Sequence, residues 1–352
     1  KKIINDDTMT WKKFKQQRYE LMENSLDTIP YIDVDKLVQD YVDALKVDSS
    51  NEDRNVTVST NVRRINYHYL KRVTNDFREA VLTGKNDVIH ISTPEEFKEK
   101  IMQNKIENVD GNTNYYIGNF VLDNDIDLSQ IQVDGDTIID GYFMGKLNGN
   151  GYRLIGNKAP IFNNIKFANI SNLIIEDSEI VVIDQSNEKT GSLAKVVEYS
   201  TLEGITGKNI NVSAYRETGS LVGNITGAIV KDTHVIGATV SGTSRVGAMA
   251  GYVDKSQMME CSANGQTSAT EAAVGGFVGE IVNESIIKDC YSIGTAKGST
   301  DVGGFIGYVN KSSIINCFSN AKAEGNAGIA SFVGQTHNKS TLRNNLTLVN
   351  QF

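Results

Sequence analysis

Apolar positions along this chain follow two different rhythms. Over the first 87 residues they recur every three or four positions. Trp11, Phe14, Leu21 and Met22 form one such series, Val34, Leu37, Val38, Tyr41, Val42 and Leu45 a second, and Val62, Ile65, Tyr69, Val73, Phe77 and Val81 a third. That spacing lays one apolar stripe along a helix, with Asp33 placed to cap the second helix and Gly84 to end the third. The expected unit is a helical N-terminal subdomain over 1–87. Its basic runs (Lys12-Lys13-Phe14-Lys15, Arg63-Arg64, Lys71-Arg72) read as the solvated sides of those helices.

From residue 88 the rhythm shortens. Val88–Ile91 reads as a strand, and Thr93-Pro94-Glu95-Glu96 reads as a capping box opening a helix through Phe97, Ile101 and Met102. Strand-like segments 116–122, 142–147 and 152–155 follow, separated by Asn/Gly turns such as Asn148-Gly149-Asn150-Gly151. Residues 88–160 are expected to form a strand and helix cap with the first irregular coils, and 161–352 the regular coils.

The regular part carries a fixed beat. Gly219-Ser-Leu-Val-Gly223, Gly247-Ala-Met-Ala-Gly251, Gly275-Gly-Phe-Val-Gly279 and Gly303-Gly-Phe-Ile-Gly307 begin 28 residues apart. A worn copy (Gly191-Ser-Leu-Ala-Lys195) precedes them at the same interval, and Ala330-Ser-Phe-Val-Gly334 follows 27 residues on. Each unit holds short runs rich in Val, Ile, Phe, Tyr and Thr, with no helix-length periodicity. Three strands and their corners use about 28 residues, so each unit makes one coil of a right-handed parallel β-helix, with coils about 4.8 Å apart. Propeller blades need longer units, and a leucine-rich framework is missing. Gly placement agrees: 22 of the 31 Gly lie between Gly191 and Gly334, whereas Pro30, Pro94 and Pro160 all precede that stretch. Pro would delete ladder donors there.

Stacking aligns like residues in columns: Leu221, Met249, Phe277 and Phe305; Val230, Met258, Ile287 and Ile314; Thr233, Cys261, Cys290 and Cys317, with one inserted residue in the copy that begins at Gly275. The three cysteines therefore share one structural position and read as a ladder of buried thiols, with no His at zinc-ligand spacing. The column before them is Asp232, Glu260, Asp289 and Asn316. Carboxylates stacked on adjacent coils could bind calcium or act as the acid pair of a polysaccharide-cleaving enzyme, and they equally keep a solenoid soluble. Asp123-Asn124-Asp125-Ile126-Asp127 has acidic alternation but lacks the Gly and Glu of an EF-hand loop.

Composition narrows the function classes. A net charge of −8 argues against a nucleic-acid surface. No run of 18 apolar residues exists to span a membrane, and the first residues lack the apolar core of a signal peptide. The four histidines, His68, His90, His234 and His337, form no H-E-x-x-H, and no nucleophile elbow, P-loop or dinucleotide fingerprint occurs. No catalytic, cofactor-binding or metal-binding residue is assigned. The last coil ends without a polar cap, which leads to the expectation that the natural protein continues beyond Phe352.

The G-[GSA]-[FLM]-[VIA]-G motifs resemble the GLUG repeats of bacterial surface and secreted proteins. More specifically, Lys36–Lys46, Pro160-Ile-Phe-Asn-Asn-Ile165 and Gly219–Gly227 resemble the helix, the "PLF" stretch and the repeat core of the N-terminal, non-peptidase region of the M26 family of zinc metallopeptidases, which includes IgA1 proteases. The resemblance spans about 33–350. It implies an extracellular parent protein, secreted or anchored to the wall of a Gram-positive bacterium, with its zinc site in a downstream peptidase domain and no zinc ligand here. The solenoid would be a non-catalytic scaffold that holds a host glycoprotein substrate such as immunoglobulin A1. Two other readings stay open: a stand-alone surface adhesin, and a β-helix polysaccharide lyase or glycosidase.

Overall fold

The computed structural model describes residues 87–347 apart from 107–113, 134, 183 and 185. The expected helical subdomain, with His68, lies outside them except for its last residue.

One coil shows how the sequence builds the fold. Strand Ala272–Gly275 leads into Val278–Val282, then Ile286–Lys288, then Tyr291–Lys297. Each strand pairs in parallel with its counterparts one coil below and one above, for example Val253 with Ile281 and Ile281 with Val309. Among the described residues this yields sheets of 19, 10 and 5 strands, and the 19-stranded sheet takes two consecutive strands from each coil. The result is a β-solenoid of 28-residue coils. It has one strand more per coil than the sequence indicates. The additional one is the short strand Ala272–Gly275, which ends on the first glycine of the motif.

Strands from 88–160 join the same sheets: Ile91 pairs with Leu122, and Phe120 with Leu147. Helix α1 (Pro94–Gln103) is capped by Thr93, whose side chain accepts from the Glu96 N–H, and it buries Phe97 and Ile101. Met102, expected on that buried stripe, is exposed instead. It follows Ile101 directly and is turned about 100° around the helix from it.

The motif glycines answer to close backbone approach and not to corners. A Cβ on Gly251 would run into the Glu217 carbonyl carbon, and one on Gly279 into the Arg245 carbonyl carbon. None of these glycines has a positive φ. The corners turn instead on non-glycine residues in the left-handed region, including Lys255 (φ 47°), Asp232 (φ 47°), Glu260 (φ 56°) and Arg245 (φ 55°). The residue inserted in the copy that begins at Gly275 sits at such a corner, where Asn283 and Glu284 both take positive φ.

The predicted columns form. Leu221, Met249, Phe277 and Phe305 are buried, and the Phe277, Phe305 and Phe332 rings stack at 4.9 and 5.1 Å between centroids. Val230, Met258, Ile287 and Ile314 are in register and buried. The cysteines are buried free thiols, and each donates to the carbonyl two residues back, at 3.0 Å (Cys261), 3.1 Å (Cys290) and 3.2 Å (Cys317). Thr233 makes the same bond through its hydroxyl at 3.0 Å. Ser256 and Ser312 make it at the preceding corner, a second hydroxyl column that goes unremarked in the sequence.

Candidate interaction face

The coils stack the outward positions of the 10-stranded sheet into a polar face. One column reads Tyr115, Tyr142, Asn164, Val196, Asn224, Tyr252, Glu280, Tyr308 and Gln335. Two residues on, a second reads Lys166, Glu198, Thr226, Asp254, Val282, Asn310 and His337. The left-handed corner Glu217, Arg245, Ala273 and Asp301 runs alongside, because each corner folds its backbone over the last motif glycine.

Arg245 is the hub of this face. Its Nη1 donates to Glu217 Oε1 at 2.7 Å and its Nε to Glu280 Oε2 at 2.6 Å, and the guanidinium lies 4.9 Å from the Tyr252 ring centroid. Asn224 Nδ2 donates to the other Glu217 oxygen at 2.8 Å. The Glu217 and Glu280 side chains are only 9% and 14% exposed, so this bridge ties three coils together largely away from water. Charge-assisted bonds of this kind gain from the low local dielectric. Burial, reinforced by Asp254 and Glu280, pushes the Tyr252 phenol up to about 12.

A second cluster occupies the first coils. Lys166 Nζ pairs with Glu198 at 2.9 Å and sits 5.5 to 5.9 Å from the rings of Tyr142, Phe167 and Tyr199. Tyr115 stacks on Tyr142 and Phe167 on Tyr199, so these rings spend faces on one another. Phe167 and Tyr199 both sit at φ 51°, a conformation that bulky side chains seldom adopt.

The acidic column has a different explanation from a metal site. Asp232, Glu260, Asp289 and Asn316 all turn a corner at φ 47–56°. Asn and Asp tolerate that region best, which accounts for three of the four residue types. Asp232 contacts His234 Nε2 at 3.0 Å, and Asp289 accepts from Asn316 Nδ2 at 3.1 Å. The acids at 123–127 diverge: Asp123 pairs with His90, Asp125 with Arg153, and Asp127 with the Ser129 N–H. The Arg153 contact holds the Asp125 carboxyl below its usual range. Among the described residues no three His, Cys, Asp or Glu side chains gather to hold a metal ion.

His234 also bonds Ser262 Oγ at 2.8 Å through Nδ1, which completes a Ser–His–Asp contact. Ser262 is 6% exposed on a flat strand. A nucleophile needs an accessible oxygen beside oxyanion donors, so the contact is a surface hydrogen-bond chain. His337 is exposed on the last coil. No helix among the described residues is long and apolar enough to cross a membrane.

Comparison with known proteins gives two findings. Residues 86–214 match the family model described as the M26 IgA1-specific metallo-endopeptidase N-terminal region, which bears out the resemblance read from the sequence. A solved structure described as "a putative immunoglobulin A1 protease from Bacteroides ovatus" is 14% identical, with a TM-score of 0.47, over 75% of this chain and 86% of that one. No curated protein matches.

Proposed function

We propose that this chain, whose residues 86–214 match the N-terminal region of M26 metallo-endopeptidases, is the substrate-holding scaffold of a zinc metallopeptidase and does no chemistry itself. The substrate would be a host glycoprotein such as immunoglobulin A1, met outside the cell by a protein secreted or anchored to a Gram-positive wall. The zinc would sit in a peptidase domain of the same protein. The family match is the observation that carries this reading.

The chemistry of the described residues supports it. The cysteines point into the core, the corner acids serve left-handed turns, and Asp125 is spent on Arg153. What the solenoid offers is a long ladder of outward Tyr, Asn, Asp, Glu and Arg side chains on a rigid frame, suited to gripping an extended partner. The outer face of the 10-stranded sheet is the recognition face in this reading.

The test is direct. Immobilised chain is exposed to immunoglobulin A1 and to unrelated glycoproteins, and its ability to cleave them is assayed in parallel. Saturable binding without cleavage is expected. Cleavage by this chain alone, or binding only to free glycans, would replace the reading with an enzyme or an adhesin.

A further inference from the structure

Cys261, Cys290 and Cys317, the three cysteines of the chain, stand at one corner position on successive coils, between consecutive strands of the 19-stranded sheet. The backbone keeps them in step. The Tyr291 N–H donates to the Cys261 carbonyl at 3.0 Å, and the Phe318 N–H to the Cys290 carbonyl at 2.9 Å. Neighbouring coils are about 4.8 Å apart, inside the roughly 4.4–6.8 Å range of Cα separations that a disulfide spans. Cys261 and Cys317 are two coils apart, about 9.6 Å, which no disulfide spans without backbone movement.

The sulfurs meet as well. Cys290 Sγ leans onto the coil below and accepts from the Cys261 N–H at 3.3 Å. The Cys290 thiol is in side-chain contact with both the Cys261 and the Cys317 thiols. The fold does not require sulfur at this position. Thr233 fills it one coil earlier and makes the same bond to the carbonyl two residues back. Asn345 fills it one coil later and accepts from the Cys317 N–H at 2.8 Å. What a thiol adds to a hydroxyl or a carboxamide is oxidation to a disulfide.

We propose that Cys290 forms a reversible disulfide with Cys261 or with Cys317 when the chain folds in a medium containing a small-molecule disulfide, and that this bridge staples adjacent coils. One cysteine thiolate attacks the small disulfide, whose S–S bond breaks to leave a mixed disulfide and one small thiolate. The neighbouring cysteine thiolate attacks the protein sulfur of that mixed disulfide and releases the second small thiolate. Two electrons pass from the cysteine pair to the small disulfide, and the two thiol protons leave with the two small thiols. The third cysteine then abuts the bridge. With Cys261 and Cys290 joined, the Cys317 thiolate can attack the Cys290 sulfur, release Cys261 and carry the bridge one coil along without net oxidation. Cys290 therefore belongs to every bridge that the ladder permits.

Burial sets the timing. The three side chains are at most 2% exposed, so a small disulfide reaches them while the coils close rather than in the finished stack. Pure stacking puts the Cβ atoms about 4.8 Å apart against a usual ~3.5–4.5 Å, so the bridge carries strain and is readily reduced. None of this depends on what the outer face of the 10-stranded sheet holds.

The test refolds the reduced whole chain from denaturant in a buffer of oxidised and reduced glutathione. The product is quenched in acid, weighed by mass spectrometry and mapped by digestion without reduction. The expected product has lost the mass of two hydrogen atoms, carries one thiol open to iodoacetamide in denaturant where the reduced chain carries three, and has Cys290 in every bridged peptide. Cys261→Ser and Cys317→Ser should each still form a bridge, whereas Cys290→Ser should keep both remaining thiols. Serine can make the carbonyl bond that Thr233 makes, so circular dichroism should show the same strand content in all three variants. A refolded wild-type chain with three free thiols, a peptide joining Cys261 to Cys317, or a bridge in Cys290→Ser overturns the proposal. The wild-type map decides by itself, whatever the yield of the variants.

Discussion

At the scale of single residues, Arg245 carries the heaviest structural burden. Replacing it with Met leaves Glu217 and Glu280 largely buried without their cation, and removing one member of such a network costs about 3–5 kcal/mol. Denaturant melts of Arg245→Met should show a loss of that order, with Arg245→Lys intermediate because an ammonium cannot bridge both acids as a fork. Sequence alone hides this network, since its members lie 28 and 35 residues apart and none forms a motif. The 28-residue register would have put Glu217 under Arg245, but nothing in it points across to Glu280. The cysteines are the opposite case, because one column position on three coils announces their burial. Burial raises the Cys290 thiol well above normal, and the Cys290 contact, followed by burial, raises Cys317. Free thiols ionise near 8.5, so below that pH both states keep the proton and stability is intact. Above it the unfolded chain ionises first and stability falls. Melting temperature should therefore drop from about pH 8.5 upward, and this slope should shrink in a variant with all three cysteines changed to Ser. Iodoacetamide should label none of the three in the native chain and all three in denaturant.

At the scale of elements, the coil is set by glycines that admit neighbouring backbone and by corners that accept left-handed residues. Gly251→Ala would push a methyl into the Glu217 backbone, and a loss of about 1–3 kcal/mol or more is expected from forcing atoms into a packed site. Glu260→Asn works the other way. Glutamate at φ 56° is strained where asparagine is tolerated, so the variant should melt higher by up to about 1 kcal/mol of stability. Calcium should leave the melting temperature of both forms unchanged, and a calcium-dependent rise lost in Glu260→Asn would restore a metal role for that column. The glycine beat was legible because repetition makes it periodic. The corners were not, because Lys, Arg, Glu, Phe and Tyr in the left-handed region carry no local signature. The strand count per coil was missed for a related reason. Strand Thr300–Gly303 is short and ends on a motif glycine, so it lacks the β-branched run that marks the other strands.

At the scale of the whole molecule, the parallel stack is one continuous frame that runs from Val88 through the last described coil. Its core is aliphatic, aromatic and thiol, with buried hydroxyl columns at the corners, and the ladders that face outward carry the Tyr, Asn, Asp, Glu and Arg side chains a partner would meet. The fold was readable from the period, and of the three short stretches that carry the resemblance Pro160–Ile165 lies within the residues that the family model matches. The face was not readable, because which side of a solenoid engages a partner depends on side chains brought together from different coils. The most direct measurement is binding of the whole chain, immobilised on a sensor, to immunoglobulin A1 and to unrelated host glycoproteins. Saturable binding to immunoglobulin A1, with the glycoprotein recovered uncleaved, is the expected result. Absence of binding to immunoglobulin A1 and to other host glycoproteins alike would contradict the claim that this solenoid holds the substrate.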